Sequence, residues 1–175
     1  MALRCSKTLA LVLLIATHPV HALEPNNTKE AKADWEAIAS QGLIDSNTGR
    51  MFFWSRVDHS PLHVVWVRQH CEPCMRDLQA FNCVVEKVPQ AQVVAVVLDA
   101  ETRDEVYRHF RRTRPAYPLL IATDSLQKRL GSRLQETPEV WQFSADRNTR
   151  VRTMGARDCK YWLANLKRAD PNSPN

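Results

Sequence analysis

A chain of 175 residues is long enough for one domain built around one hydrophobic core. With 44% hydrophobic and 25% charged residues it is not a compositionally disordered chain, and ten prolines against four glycines argue against a linker-rich protein. The formal net charge is +5, with the basic residues scattered among acidic ones apart from a group at 108–114.

The N-terminus reads as a secretory signal peptide. Arg4 and Lys7 make a short positive region. Leu9 to Ala16 is an apolar run of about 8 residues, too short for the ~20 of a membrane span. His18-Pro19 breaks the run, and Val20-His21-Ala22 offers small residues where a signal peptidase reads. Cleavage near Ala22 is expected, with an uncleaved anchor as the alternative. No cysteine follows the apolar run to carry a lipid. Loss of residues 1–22 lowers the charge of +5 by two and removes Cys5, leaving Cys71, Cys74, Cys83 and Cys159. In an exported protein these can persist as disulfides.

Residues 23–42 read as an N-terminal extension with a short helix over Asp34 to Gln41, ended by Gly42. Met51 to Trp54 reads as a strand and Asp58-His59-Ser60-Pro61 as a turn. Leu62 to Val67 is a β-branched and aromatic run, the pattern of a strand buried on both faces. After His70-Cys71-Glu72-Pro73-Cys74 the apolar period becomes helical, with Leu78, Phe81, Val85 and Val88, until Pro89. Val93 to Leu98 is a second buried strand. Glu101 to Arg112 reads as a helix with Val106, Tyr107 and Phe110 inward.

Leu119 to Ala122 is extended, and Ser125 to Leu134 is a helix with Asp124 or Ser125 as its N-cap. Pro138 to Phe143 and Thr149 to Met154 form a hairpin about the turn Ala145 to Asn148. Asp158 to Lys167 is the last helix, and 169–175 is a polar tail. A strand–helix–strand unit makes its strands parallel, and the hairpin adds antiparallel strands. The expected fold is therefore α/β: a mixed central sheet with helices on both faces.

The arginines at 108, 111, 112 and 114 could face an acidic partner; a solvated helix end is the simpler reading. Trp66, Trp141 and Trp162 read as core, with Trp35 and Trp54 partly exposed. The triplet Asn26-Asn27-Thr28 matches a glycosylation acceptor and is taken as chance.

The chemistry sits at Cys71 and Cys74. Cysteines three apart at the start of a helix can bridge with little backbone change. The first turn offers unpaired N–H groups and the positive end of the helix dipole, and both favour a thiolate. Such placement lowers a cysteine pKa from about 8.5 into a range of about 3.5–7.5. Cys71 is then the nucleophile that attacks a client disulfide, and Cys74 resolves the mixed disulfide. Pro73 removes an N–H and suits the first turn, Glu72 opposes the thiolate, and His70 favours it when protonated. Zinc and a purely structural disulfide are the competing readings. Zinc wants a second Cys/His pair of similar spacing, and Cys83 and Cys159 stand 76 residues apart. Neither a metal nor a cofactor is expected. Cys83 lies about 18 Å down the helix from Cys71, out of its reach. Cys83 and Cys159 are read as two separate, mostly buried thiols, with a bridge between them as the alternative.

The strand Val64-Val65-Trp66-Val67 followed by Cys71-Glu72-Pro73-Cys74 resembles the thioredoxin superfamily, and within it the exported TlpA/ResA/DsbE-like branch. Thr137-Pro138 leading into Glu139-Val140-Trp141-Gln142-Phe143, and the Asp146-Arg147-Asn148 turn, are similar to that family's cis-proline loop and hairpin. The resemblance covers about residues 43–168. It implies a thioredoxin-like domain there and a cis bond at Thr137-Pro138, with this loop against the cysteines to receive an extended substrate. It implies an exported or periplasmic thiol–disulfide oxidoreductase, working on client proteins and drawing electrons from a membrane or exported partner. A reductase, as in cytochrome c maturation, is the leading expectation. A disulfide oxidase or isomerase, or an assembly factor of a secretion or conjugation system, is the alternative. No nucleic acid partner and no membrane span after cleavage are expected. Two departures stand out: His70 where the family often has Trp, and no carboxylate on Val64 to Val67, where cytosolic thioredoxins carry a buried acid. Glu139 is a candidate replacement; an exposed strand residue is the preferred reading of it.

Overall fold

Six consecutive buried residues, Leu62–Val67, form β3, the spine of the sheet. Such a run can be satisfied only where both faces are covered, and each buried Val or Leu contributes roughly 1.5–3 kcal/mol. In the computed structural model, which describes residues 28–130, 133–134 and 136–169, both faces are covered. The expected signal peptide, its cleavage site near Ala22 and residues 170–175 lie outside the described residues.

The chain runs α1 (Thr28–Ala39), β1 (Leu43–Asp45), β2 (Met51–Phe52), a 3₁₀ turn (Trp54–Arg56), β3, α2 (Glu72–Lys87), β4 (Gln92–Val97) and α3 (Arg103–Phe110). It continues through β5 (Leu119–Ile121), α4 (Asp124–Leu130), β6 (Glu139–Phe143), β7 (Arg150–Met154) and α5 (Cys159–Ala169). The sheet has the order β2-β1-β5-β4-β3-β6-β7. β3, β4 and β5 are parallel, and every other pairing is antiparallel. The mixed α/β fold of the sequence reading is what the structure has.

Alternation along the strands divides the core in two. Val65, Val67 and Val140 face Cys74, Leu78, Phe81 and Val84 of α2, Val106 and Phe110 of α3, and Trp162 of α5. Val64, Trp66, Val94, Val96 and Trp141 face Ile38 of α1 and Leu126 and Leu130 of α4. On that second face the buried Asp34 of α1 accepts from Arg133 and is ion-paired with Arg150, whose guanidinium lies 4.4 Å from the centroid of the Trp141 ring. This clamp ties α1 to β7.

Several elements differ from expectation. The helix α1 starts at Thr28 rather than Asp34. β1 was not expected as a strand; it is three residues long, and its identity comes from pairing with β2 and β5. The Met51 to Trp54 strand stops at Phe52, and Trp54 is 2% exposed rather than partly open, packed edge-on against Trp35 and Phe52. Tyr107 is 55% exposed, not inward. α4 is capped by Thr123, whose Oγ1 accepts from the Leu126 N–H at 3.2 Å, rather than by Asp124 or Ser125. α3 carries a capping box between Thr102 and Glu105.

Candidate active site

β3 ends at Val67 and α2 begins at Glu72, so residues 68–71 are all that join them. Three interactions fix this loop. The Gln69 N–H donates to Asp99 Oδ1 at 2.8 Å, just beyond β4. The Gln69 amide nitrogen donates to the Asp99 carbonyl at 3.0 Å. The His70 N–H donates to His109 Nε2 of α3 at 2.8 Å. His70 has a φ of 54°, a left-handed conformation that a non-glycine residue keeps only when its surroundings hold it. The two imidazoles meet edge-on with centroids 4.7 Å apart. Burial, then the neighbouring His70, lower the His109 pKa, with Asp99 opposing. A neutral ring is what the acceptor role at Nε2 requires.

Cys71 is the N-cap of α2, and its sulfur accepts from the Cys74 N–H at 3.2 Å. One of the orphan donors of the helix start is thus aimed at this sulfur. Pro73 sits in the first turn beside Glu72, which is exposed. Cys71 and Cys74 form a disulfide with Cα atoms 5.2 Å apart. Cys71 is half-buried and Cys74 is fully buried, so the first is the accessible residue of the pair. Thr137 closes the other side: its carbonyl oxygen and its hydroxyl lie 3.7 and 3.8 Å from the Cys71 sulfur. The Thr137-Pro138 peptide is cis, Pro138 is buried, and the Pro138 carbonyl accepts from the Gly155 N–H at 2.9 Å. Cys71, Cys74, His70, Glu72, Pro73, Thr137 and Pro138, singled out from the sequence, are therefore gathered at one end of β3.

Glu139 is not the exposed strand residue expected. It is fully buried, where Trp141 Nε1 and Arg152 Nε donate to its carboxylate. It pairs in register with Trp66, so it faces away from α2 and from Cys74. Cys83 and Cys159 are not separate thiols: they are bridged, with Cα atoms 6.0 Å apart. They meet because the chain leading into α5 lies along α2. From Gly155, beside Pro138, the chain runs to Arg157, whose N–H donates to Asp77 in the second turn of α2. Cys159 is thereby level with Cys83.

Sequence reasoning missed His109, Asp99 and Asp77. His109 and Asp99 reach the site only through the packing of α3 and the end of β4. Asp77 stands on the buried face of α2, three residues after Cys74, and that spacing was the available signal. Among the described residues no cluster of side chains could hold a metal ion.

No family model matches this chain, and no curated protein matches it in sequence. Solved structures do resemble it. A secreted Mycobacterium tuberculosis disulfide oxidoreductase homologous to E. coli DsbE is 14% identical, with a TM-score of 0.62 over 77% of this chain and 98% of that one. A thiol:disulfide interchange protein of the thioredoxin family from Chlorobium tepidum is 16% identical, with a TM-score of 0.64 over 74% and 92%. StoA from Bacillus subtilis is 14% identical, with a TM-score of 0.58 over 75% and 98%. At these identities the likeness establishes the fold: the chain has the thioredoxin-like fold, the architecture of these thiol–disulfide oxidoreductases. The bridge between Cys71 and Cys74 sits at the start of its first long helix after β3.

Proposed function

We propose that the protein is an exported thiol–disulfide oxidoreductase that exchanges disulfides with client proteins through Cys71-Glu72-Pro73-Cys74, working as a reductase. The observation that carries this reading is the asymmetry of the bridge: a reachable sulfur capping a helix, joined to a buried one a turn further on. The helix start stabilises Cys71 as a thiolate, which attacks a client disulfide. Cys74 then attacks Cys71, and the reduced client leaves. The Thr137 carbonyl and hydroxyl beside the sulfur are placed to receive the backbone of an extended client.

The direction follows from how little else supports the thiolate. Pro73 contributes no N–H, Glu72 adds a negative charge next to the sulfur and a neutral His109 adds no positive one, which leaves His70, when protonated, as the neighbour that opposes this direction. A less stabilised thiolate makes the dithiol a better reductant. Export rests on the signal-peptide reading of residues 1–22; among the described residues no helix is long and apolar enough to cross a membrane.

The test is a trap. Cys74→Ala in the exported protein accumulates mixed disulfides through Cys71, and mass spectrometry names the clients. Absence of adducts with Cys74→Ala, matching a Cys71→Ala control, refutes exchange at this site. Titration in glutathione buffer tests direction: a potential near about −120 mV marks an oxidase and overturns the reductase reading.

A further inference from the structure

β4 and β5 lie side by side and parallel, yet the chain leaves them for opposite faces of the sheet. α3, which follows β4, packs with Val97 in one half of the core, and α4, which follows β5, packs with Leu120 in the other. Where neighbouring strands send their helices to opposite sides, a crevice opens at their carboxyl ends, and open α/β sheets bind ligands there. Here the crevice is a cavity of about 660 Å³. Its lining includes neither the Cys71–Cys74 bridge nor the Thr137 loop.

The floor of this cavity is apolar. Val97 pairs with Ile121, Ile121 with Ile44, and Ile44 with Met51. Partners in register point to the same face of a sheet, so these side chains form one row running outward from α3. Val97 is buried, Ile121 is half-buried, Ile44 is 38% exposed and Met51 is 45% exposed. Ile44 and Met51 thus present uncovered apolar surface to the cavity. The rim is acidic. Asp99 and Glu101 stand between β4 and α3, and Asp124 opens α4; all of them are exposed. The cation in the lining is Arg103, whose guanidinium donates to the Ser46 and Asn47 carbonyls at 2.8 and 3.5 Å. On a chain of formal charge +5, the opening is therefore edged by carboxylates, and its arginine is spent on the turn after β1.

We propose that this cavity is a docking subsite for the client polypeptide, taking an apolar side chain on Ile44 and Met51 and an adjoining Lys or Arg against Asp99, Glu101 and Asp124. The inference deepens the exchange reading and rests on it. Its place relative to the sulfur argues for a peptide. Asp99 lines the cavity and also accepts from the N–H of Gln69, just ahead of Cys71, at 2.8 Å. The step from Gln69 to Cys71 spans at most about 7 Å, so the rim begins roughly three extended residues from the reacting sulfur. β3 lies between β6 and β4, with Thr137 on the β6 side of Cys71 and the cavity on the β4 side. An extended client bound beside Thr137 and crossing Cys71 runs on into it. Binding energy gained there, away from the reacting bond, selects which disulfides are presented.

The experiment uses the reduced full chain and short synthetic peptides whose single cysteine is joined to thionitrobenzoate. Cys71 attacks the peptide sulfur, the S–S bond to thionitrobenzoate breaks, and the coloured thiolate leaves with the electron pair. One peptide carries leucine–lysine, another leucine–glutamate and a third serine–lysine, about three to five residues to either side of the cysteine. With the wild type, KM for the leucine–lysine peptide is roughly tenfold below that for either of the others at low salt, and the charge preference shrinks at about 1 M salt. Glu101→Lys combined with Asp124→Lys inverts the charge preference, so that leucine–glutamate becomes the better substrate; a damaged fold produces no such inversion. Met51→Ser removes the advantage of leucine–lysine over serine–lysine. Equal KM values for the three peptides with the wild type, or preferences unmoved by these substitutions, overturn the proposal and leave the exchange reading standing. A dimer in analytical ultracentrifugation that the double substitution dissolves assigns the cavity to a second copy and overturns the proposal as well. Peptides that release no thionitrobenzoate at all refute the exchange reading itself, and the subsite with it.

Discussion

Asp77 has a cost in stability that its neighbour His63 conceals. The Asp77 pKa rises from 3.8 to about 6 on folding, and at about 1.36 kcal/mol per unit this is worth roughly 3 kcal/mol. Because the folded value is the higher one, that stability is present in full below about pH 4 and is lost as the pH rises through about 6. His63 runs the other way. Burial lowers its pKa from 6.5 to about 4, so its contribution, also roughly 3 kcal/mol, is present above pH 6.5 and lost as the pH falls through about 4. Both side chains are fully buried, and their two slopes offset each other across the same window. Asp77→Asn removes one slope and leaves the other. The variant is expected to be about 3 kcal/mol more stable than wild type near pH 8, equal to it near pH 4, and far more sensitive to acid between. Urea unfolding of the oxidised protein, followed by tryptophan fluorescence across that range, measures this. Parallel pH profiles for the variant and the wild type refute it.

Replacing both Cys83 and Cys159 by Ser opens a loop spanning 76 residues and lowers the unfolding free energy by about 4 kcal/mol on a chain-entropy basis. A urea midpoint that does not move rejects that bridge as a stabilising link. His109→Ala leaves the His70 N–H without its acceptor, at about 1 kcal/mol, so the His70 amide exchanges with deuterium roughly fivefold faster. Wild-type exchange in that variant removes His109 as the anchor of the loop.

The central strands and the helix after the cysteines were legible because burial and capping write themselves locally. Leu62 to Val67 is apolar on both faces, and Cys71-Glu72-Pro73-Cys74 holds its own N-cap and first turn. β1 was not legible, since Leu43-Ile44-Asp45 becomes a strand only through partners more than a turn or two away in sequence. Glu139 looked like an exposed strand residue because its partner Arg152 arrives on the opposite arm of the hairpin. The Cys83–Cys159 bridge depended on how the chain leading into α5 lies along α2, and that is set by the run from Gly155 to Arg157. Cys71 and Cys74 could be read from their place between a buried strand and an amphipathic helix; the groups that hold their loop come from α3 and the end of β4.

Three of the four sulfurs after residue 27 ride on α2 or at its cap, and this decides how the chain oxidises. Four thiols admit three pairings. Both wrong ones need Cys83 joined to Cys71 or to Cys74, across roughly 18 or 14 Å of helix at about 1.5 Å per residue, where a bridge spans at most about 7 Å between Cα atoms. Once α2 has wound, the helix acts as a ruler that rejects both scrambled isomers, so a single oxidant suffices and no later shuffling is called for.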